Sequence, residues 1–293
     1  AACLASLREI GPDHVGEIVV VDNASTDDTM TELPRRFPDV RFIDAGDNVG
    51  FARGCNLGAR HTDADLILFL NPDTRMHAGT VEALVAAWQR RPEAGQIGGR
   101  TIDDSGTLDP SSCWGAPSLW STICFATGLS VVFPRHPRFD PESLGDWDRD
   151  TERDVGVVTG CLLLMPRAVF DAVGGFDESY FLYGEDIDLS MRVRDAGHST
   201  FITPEAVITH SVGASSSSSV QRTVFVLTGR MTVFRRRFSA PMGLLLRALY
   251  VVGITLRSLL PQRASGSGTK RRAAWRPALG RIREWWPGYP TAS

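Results

Sequence analysis

The chain has 293 residues, 43% of them hydrophobic, which at about 150 residues per domain allows one large or two small domains with a sizeable core. Its formal charge of −3 conceals a split: residues 1–205 carry 17 Arg and no Lys against 33 acids, a net of −16, while residues 206–293 carry 13 Arg and one Lys against one acid, Glu284, a net of +13. A basic tail on an acidic body asks for an anionic partner, and the run Met242–Leu260 is too apolar for nucleic acid, which excludes that class and favours lipid.

Five cysteines, Cys3, Cys55, Cys113, Cys124 and Cys161, are scattered, odd in number and without a Cys-x-x-Cys pair, so they read as free thiols in a reducing compartment. The first residues show no signal-peptide pattern. Ala1–Ile10 reads as the middle of an amphipathic helix without an initiator Met, which points to further sequence upstream.

Glu17–Asp22 is a short apolar run ending in an acid, the pattern of a strand buried on both faces. Asn23–Thr29 clusters turn and capping residues and starts a helix reaching Phe37. Val40–Asp44 is a second strand. Asn48–Arg60 is a loop entering a helix, with glycines at 50, 54 and 58 that admit close packing or a ligand. Asp65–Leu70 is a third strand, followed by the turn Asn71-Pro72-Asp73, a helix over 78–91 and a strand over 95–102. The alternation predicts an open α/β sheet with right-handed crossovers, whose ligands bind at the carboxyl ends of the strands. Residues 103–154 are rich in Pro, Trp, Ser and Asp and read as an insertion lying over the sheet edge. Val155–Met165 is predicted as a strand, Arg167–Val173 as a short helix, and 198–202 and 206–210 as the last strands. A serine run at 215–219 marks a change of composition, beyond which helices are predicted over 220–238, 241–260 and 273–286.

Within Tyr180–Arg194 three carboxylates, Glu185, Asp186 and Asp188, fall within four residues after an aromatic loop hinged at Gly184. The periodicity predicts a helix there, with Glu185 and Asp186 in its first turn, where the helix dipole favours the ionised form. Two readings stand, an ordinary acidic helix start and a general base beside a mobile loop. Asp22-Asn23 reads as a strand-end ligand pair or as a helix cap. Asn71-Pro72-Asp73 reads as a turn, or as a carboxylate for Mg²⁺ or Mn²⁺ held on a diphosphate, since these ions often take only one or two protein carboxylates. His210, closing an apolar run, reads as structural or as a further ligand to such an ion. No phosphate loop, dinucleotide fingerprint, nucleophile elbow or zinc spacing is present.

Six segments in order carry a resemblance: Val20–Asp27, Asn48–Asn56, Leu68–Asp73, Gly160–Met165, Gly174–Glu178 and Gly184–Leu189. Residues 1–212 resemble a family 2 glycosyltransferase of the GT-A fold, and within it the rhamnosyltransferase-like set that builds bacterial cell-wall and surface polysaccharides. The resemblance implies an open mixed α/β sheet flanked by helices and an inverting, metal-dependent transfer of a sugar from a nucleotide-diphosphate donor. Its roles fall on Asp22 and Asn23 at the base and ribose, and on Asn48 and Asn56 around the nucleotide sugar. Asn71 and Asp73 stand at the family's Asp-x-Asp position, and Asp73 with His210 would hold Mg²⁺ or Mn²⁺. Gly160, Cys161, Phe176, Asp177, Glu178 and Tyr183 would line the donor-sugar and acceptor pocket. Asp186 would be the base, with Glu185 the alternative. One departure stands out: the family's first strand, ending in a Thr-Tyr-Asn-like loop, has no counterpart here.

The resemblance divides the chain into a catalytic domain, 1–212, whose 103–154 insertion sets acceptor choice, and a basic helical tail, 213–293. Arg247 and Arg257 interrupt the apolar tail segment, and an arginine at a bilayer centre costs roughly 2.5–3.5 kcal/mol, so an interfacial helix is favoured over a spanning one. Residues 235–286 are expected to meet an anionic membrane surface, with Arg235–Arg237, Lys270–Arg272, Trp275, Trp285, Trp286 and Tyr289 as anchors and interface-seeking aromatics. A soluble helical subdomain is the competing reading. Attachment to the cytoplasmic face of the bacterial membrane suits a polyprenyl-diphosphate-linked or glycan acceptor and a dTDP-rhamnose donor. The rival functions are a sugar-phosphate nucleotidyltransferase and a non-catalytic glycan- or nucleotide-binding module.

Overall fold

The apolar runs become strands, and the polar, glycine-marked links between them turn the chain back over the sheet. The computed structural model describes residues 1–11, 14–210, 219–259 and 275–291. Along the chain come α1 (Ala2–Ile10), β1 (Val19–Asp22), α2 (Thr29–Arg36), β2 (Arg41–Asp44), α3 (Gly50–Ala59), β3 (Leu66–Leu70), β4 (Thr74–Met76), α4 (Thr80–Arg90) and β5 (Ala94–Ile102). The middle of the chain holds β6 (Leu108–Asp109), β7 (Cys113–Trp114), α5 (Leu119–Thr127), α6 (Leu129–Val132), β8 (Arg153–Asp154) and β9 (Val157–Val158). Then follow β10 (Leu162–Pro166), α7 (Arg167–Ala172), α8 (Glu185–Asp195), β11 (Ser199–His210), α9 (Ser219–Arg237), α10 (Ala240–Leu259), α11 (Trp275–Gly280) and α12 (Ile282–Trp285).

The main sheet is mixed, in the order β3-β10-β5-β11-β4, with β6 added to β5 and β8 to β11, while β1 and β2 form a separate parallel pair. Only β5 and β11 run parallel within it. β10 is antiparallel to both β3 and β5, and β11 is antiparallel to β4. One face packs Leu84, Ile97, Phe201 and Ile208 under α1 and α4; the other packs Leu163, Met165, Leu189 and Ile202 under α3, α7 and α8.

Three elements differ from the sequence expectation for physical reasons. The strand predicted over 155–165 is split because its halves pair with different partners, β9 with β7 and β10 with β3 and β5; Gly160 between them lies so close beneath Phe51 that an added Cβ would stand 2.7 Å from its ring. The two last strands are one, β11, with a register shift between Ile202 and Val207. Within 103–154, Leu119–Thr127 is a helix: Ser118 and Ser121 form a reciprocal cap, and its apolar side is covered by α10, a partner remote in sequence.

The basic tail is also corrected in part. α9 buries Val224, Leu227, Met231 and Phe234 with Leu246 and Ile254 of α10 and Trp285 of α12, a third core. Arg235 donates to the carbonyls of Pro287 and Tyr289, Arg236 pairs with Asp177, and Arg237 pairs with Asp195. Trp285 is fully buried and Tyr289 donates its hydroxyl to the Leu182 carbonyl at 2.5 Å. These residues hold α9, α11 and α12 to the body, so they are not available as lipid anchors. The expected boundary at 212, Ser215–Ser218 and Lys270–Arg272 lie outside the described residues. Among those described, α10 is the one helix long and apolar enough to cross a membrane.

Candidate active site

The carboxyl ends of the strands supply one side of the site. β1 closes at Asp22, buried, whose Oδ2 accepts from the Ser25 amide at 3.1 Å. It is not the cap of α2, which begins seven residues later, at Thr29 behind Asp28. Asn23 is engaged by the chain: Oδ1 accepts from the Val49 amide at 2.7 Å and Nδ2 donates to the Gly50 carbonyl at 3.1 Å. Asn48 accepts from the Gly50 amide at 3.2 Å. Asn23 and Asn48 thus shape the entry to α3 beside Asp22, and Ala24 takes a positive φ of 61° at this turn.

β3 closes at Leu70. The Asn71 amide donates to the Cys161 carbonyl at 3.3 Å, and its own carbonyl accepts from the Thr74 hydroxyl at 2.6 Å. The turn presents Asp73. Because His210 pairs with Thr74 across β11 and β4, its ring meets Asp73, with Nε2 3.3 Å from Oδ1. On the other side of the ring, Oδ2 of Asp109 lies 3.7 Å from Nδ1. Asp109, first with Asp73 second, pushes His210 up to about 9. In turn His210, above all, holds Asp73 below its usual value, and Arg222 adds to this. Burial pushes Asp109 up, but His210 and the Ser111 hydroxyl outweigh it and leave it low.

This donor set fits a hard divalent cation. Oδ1 of Asp73 and Nδ1 of His210 are buried and complete no hydrogen bond. Among the described residues no three His, Cys, Asp or Glu side chains form a full metal cage. That matches ions which complete their shell with diphosphate oxygens and water. Asp109 was missed by the sequence reading, since β6 lies in the stretch taken as an insertion; the available signal was Asp109-Pro-Ser-Ser112, an acid capping a turn.

The N-terminus of α8 supplies the facing side. Tyr183 and Gly184 both take positive φ, 67° and 99°, to turn the chain into the helix. Glu185 is 5% exposed, and burial, then the Asp186 charge, pushes its carboxyl up. Its field falls on the Cys55 thiol of α3. Asp186 keeps an exposed edge, with Oδ1 accepting from the Ile187 amide at 2.8 Å. Burial raises its carboxyl, while backbone amides and the Arg230 charge oppose the rise. The fields of Asp186 and Asp109 both reach the Cys161 thiol, which burial pushes up to about 11. The Asp186 charge thus acts on Cys161, whose carbonyl holds the Asn71 turn, and the Glu185 charge acts on Cys55 of α3. Asp188 is buried against Arg192 at 2.7 Å, a structural pair.

α9 forms a wall behind this turn. An added Cβ on Gly184 would meet Gly229 at 2.9 Å, and one on Gly229 would meet the Tyr183 carbonyl oxygen at 2.0 Å. One residue on, Nη2 of Arg230 is 2.8 Å from Oε2 of Glu142, whose Oε1 accepts from the Ser121 hydroxyl at 2.8 Å. The 103–154 segment is thereby tied to α9, whose Arg230 charge acts on Asp186.

Several expected contact residues are instead support. Phe176 is 1% exposed and packs edge-on to Phe51 and Phe69 at 5.8 and 5.2 Å, so it is core and not acceptor-facing. Asn56 is buried and clasps the Phe176 backbone from both sides, at 2.8 and 2.9 Å, which removes it from the nucleotide-sugar pocket. Asp177 is occupied by Ser179 and Arg236, and Glu178 by Arg60 and Asn56. Gly160 lies under Phe51, and Cys161 is buried beside Thr159 at 2.9 Å, so both support the Asn71 turn from below. Tyr183 remains at the edge, partly exposed, with the Arg222 guanidinium 5.9 Å from its ring centre.

Comparison with known proteins agrees with this geometry. Residues 1–141 match the model for Glycosyl transferase family 2, and residues 151–212 match that for the N-terminal domain of galactosyltransferase. The chain is 33% identical over 291 residues to the N-acetylglucosaminyl-diphospho-decaprenol L-rhamnosyltransferase of Mycobacterium tuberculosis, covering 92% of this chain and 90% of that protein. It is 26% identical over 184 residues to the low-salt glycan biosynthesis hexosyltransferase Agl10 of Haloferax volcanii, covering 61% of this chain and 54% of that one. Among solved structures, GalNAc-T7 with UDP, GalNAc and Mn²⁺ superposes with a TM-score of 0.58 at 14% identity, covering 94% of this chain and 51% of that one. Mannosyltransferase PcManGT from Pyrobaculum calidifontis, with GDP-Man and Mn²⁺, gives 0.55 at 17%, covering 92% and 78%. The fold is GT-A.

Proposed function

We propose a donor, an acceptor and a set of residue roles from one premise: the chain belongs to glycosyltransferase family 2 and is a glycosyltransferase of cell-wall synthesis. The donor is dTDP-L-rhamnose and the acceptor an N-acetylglucosaminyl-diphospho-polyprenol. The observation that carries this is the 33% identity maintained over 90% of the mycobacterial rhamnosyltransferase, an N-acetylglucosaminyl-diphospho-decaprenol L-rhamnosyltransferase. A lipid-linked acceptor and a nucleotide-sugar donor support a location on the cytoplasmic face of the membrane. A nucleotidyltransferase or a non-catalytic module would not require a base facing the strand ends.

Asp186 takes the proton of the acceptor hydroxyl as that oxygen bonds to the anomeric carbon and the bond to the donor diphosphate breaks, so one displacement inverts the anomer. Burial makes Asp186 a stronger base than a surface carboxylate, and Arg230 keeps it ionised. Asp22, aided by Asn23 and Asn48, meets the nucleoside, and Asn71 positions Asp73. Asp73 and His210 would hold Mg²⁺ or Mn²⁺, which when bound neutralises the leaving diphosphate. Asp109 fixes the His210 ring, as outer partners of ligating imidazoles do. Turnover of Asp186→Asn should collapse by about 10²–10⁴-fold, the range typical of a general base, with donor binding retained in a calorimetric titration. Unchanged turnover refutes the assignment.

A further inference from the structure

Large apolar side chains left in water are concentrated in one place. Among the described residues, every exposed large hydrophobic lies on α10 or on the α5–α6 hairpin and the residue after it. On α10 these are Leu244, Leu245, Val252, Leu256 and Leu259, the last 74% exposed. On the hairpin they are Trp120, Val132 and Phe133. The two elements are one packed layer: Phe125 stacks on Tyr250 at 4.1 Å, and Arg257 donates to Ser130 at 3.0 Å.

At 100° per residue, Leu245, Val252, Leu256 and Leu259 share one side of α10, opposite its buried seam of Leu246, Tyr250, Gly253 and Ile254. The two arginines that interrupt the segment in sequence do not interrupt this stripe. Arg247 donates to the Trp286 carbonyl with its guanidinium 4.2 Å from that ring's centre, and Arg257 donates to the Phe125 carbonyl. The stripe, about 21 Å long at 1.5 Å per residue, is uniformly apolar. The opposite side of α10 is packed on protein, so lipid can meet the helix along its stripe alone, as it meets an interfacial helix.

The charge around this layer selects the occupant. Neither 119–138 nor α10 contains an Asp or Glu, and the hairpin ends in an exposed run with Arg138 and His136 beside Phe133. Trp120 donates its ring N–H to the Arg138 carbonyl at 2.6 Å. Arg135 of this run is held by Asp146 and Asp148, so Arg138 and His136 supply the cations, and with the apolar side chains and the interfacial Trp120 they fit an anionic bilayer surface.

We propose that α10 and the α5–α6 hairpin together form a monotopic docking face for an anionic bilayer, with the α10 stripe and Phe133 immersed. This deepens the reading of a lipid-linked acceptor and rests on it. Glu142 and Arg230 then link the docked hairpin to Asp186 through Ser121 of α5.

The test is flotation of the full chain with phosphatidylcholine vesicles containing or lacking phosphatidylglycerol, and no acceptor lipid. The native chain should float, several-fold more with the anionic lipid. Val252→Asp/Leu256→Asp and, separately, Phe133→Asp should each reduce flotation at least tenfold, with melting temperature and turnover of a short-chain, water-soluble acceptor unchanged. A native chain that stays at the bottom, or variants that float as well as it does, overturn the proposal. So does a dimer in light scattering that the variants dissolve without any vesicle binding, which would make the stripe a contact between copies. Loss of rhamnosyl transfer from dTDP-rhamnose with flotation intact would refute the donor and acceptor reading and leave the docking face standing.

Discussion

Gly229→Ala is a one-carbon change remote from any substrate atom, yet it should be among the most damaging in the chain. The added Cβ would stand 2.0 Å from the Tyr183 carbonyl oxygen and 2.6 Å from its carbon. A carbon and a carbonyl oxygen settle at about 3.3–3.6 Å, so α9 and the Tyr183–Gly184 turn must part by more than an ångström. Neither side yields easily. Tyr183 and Gly184 already occupy left-handed backbone, and α9 is held by the buried Leu227, Met231, Val233 and Phe234. Overpacking of this kind costs about 1–3 kcal/mol, and a backbone clash belongs at the upper end. At about 2–4 °C per kcal/mol for a large domain, the melting temperature should fall by roughly 5–10 °C. The turn that moves carries Asp186, and a misplacement of about 1 Å can cost 10²-fold in rate. Turnover should therefore drop by that order while donor affinity, set on the strand-end side, changes little. Gly54→Ala is the control: an added Cβ there meets nothing within 4 Å, and replacing a mid-helix glycine should stabilise by about 0.5–1 kcal/mol. If Gly229→Ala melts within a degree of the native chain and turns over normally, the glycine contact is not what holds the base in place.

Glu185→Gln should stabilise the protein at pH 8 and not at pH 4. Burial raises the carboxyl in the folded state, so folding favours the protonated form; stability is lost as pH climbs above the unfolded value and the difference from the Gln variant opens over that range. Melting curves at the two pH values check this, and a variant less stable at pH 8 would refute it. Asp109→Asn should shift the Mn²⁺ concentration for half-maximal turnover upward by about 10–100-fold, as loss of an outer partner to a ligating His does, with most of the rate recovered at saturating Mn²⁺. An unaltered Mn²⁺ titration would show that Asp109 does not act through His210.

Much of the sheet was legible because its strands are short apolar runs closed by Asp or Asn, as at Val19–Asp22 and Leu66–Leu70, and such runs have few alternative folds. Asp73 and His210 were also legible as separate candidates. Their meeting was not, because it depends on the register of β11 against β4, which pairs residues more than 130 positions apart. The same limit hid Asp109 and the α5 helix, whose stabilising partners lie on β5 and α10. Asn56, Phe176 and Glu178 show the opposite error. Their pattern marked them as part of the enzyme, and they are, but as the clasp that fixes the loop leading into α8.

The acidic motif itself gains a division of labour that its sequence could not supply. Glu185, Asp186 and Asp188 are adjacent in the chain, yet about 100° per residue sends them to three surroundings. Asp188 pairs with Arg192, the Glu185 charge acts on Cys55 of α3, and the Asp186 charge acts on Cys161 beside the Asn71 turn. Asp186 alone combines partial exposure, a carboxyl raised by burial and a neighbouring guanidinium on α9. Arg230 is in turn bound to Glu142, and Glu142 to Ser121 at the start of the helix that packs on α10. The charge of Arg230 on α9 acts on Asp186, the base proposed above, and Glu142 ties that arginine to the hairpin. A bilayer docked on α10 and the hairpin would bear on the same chain of contacts that sets the base.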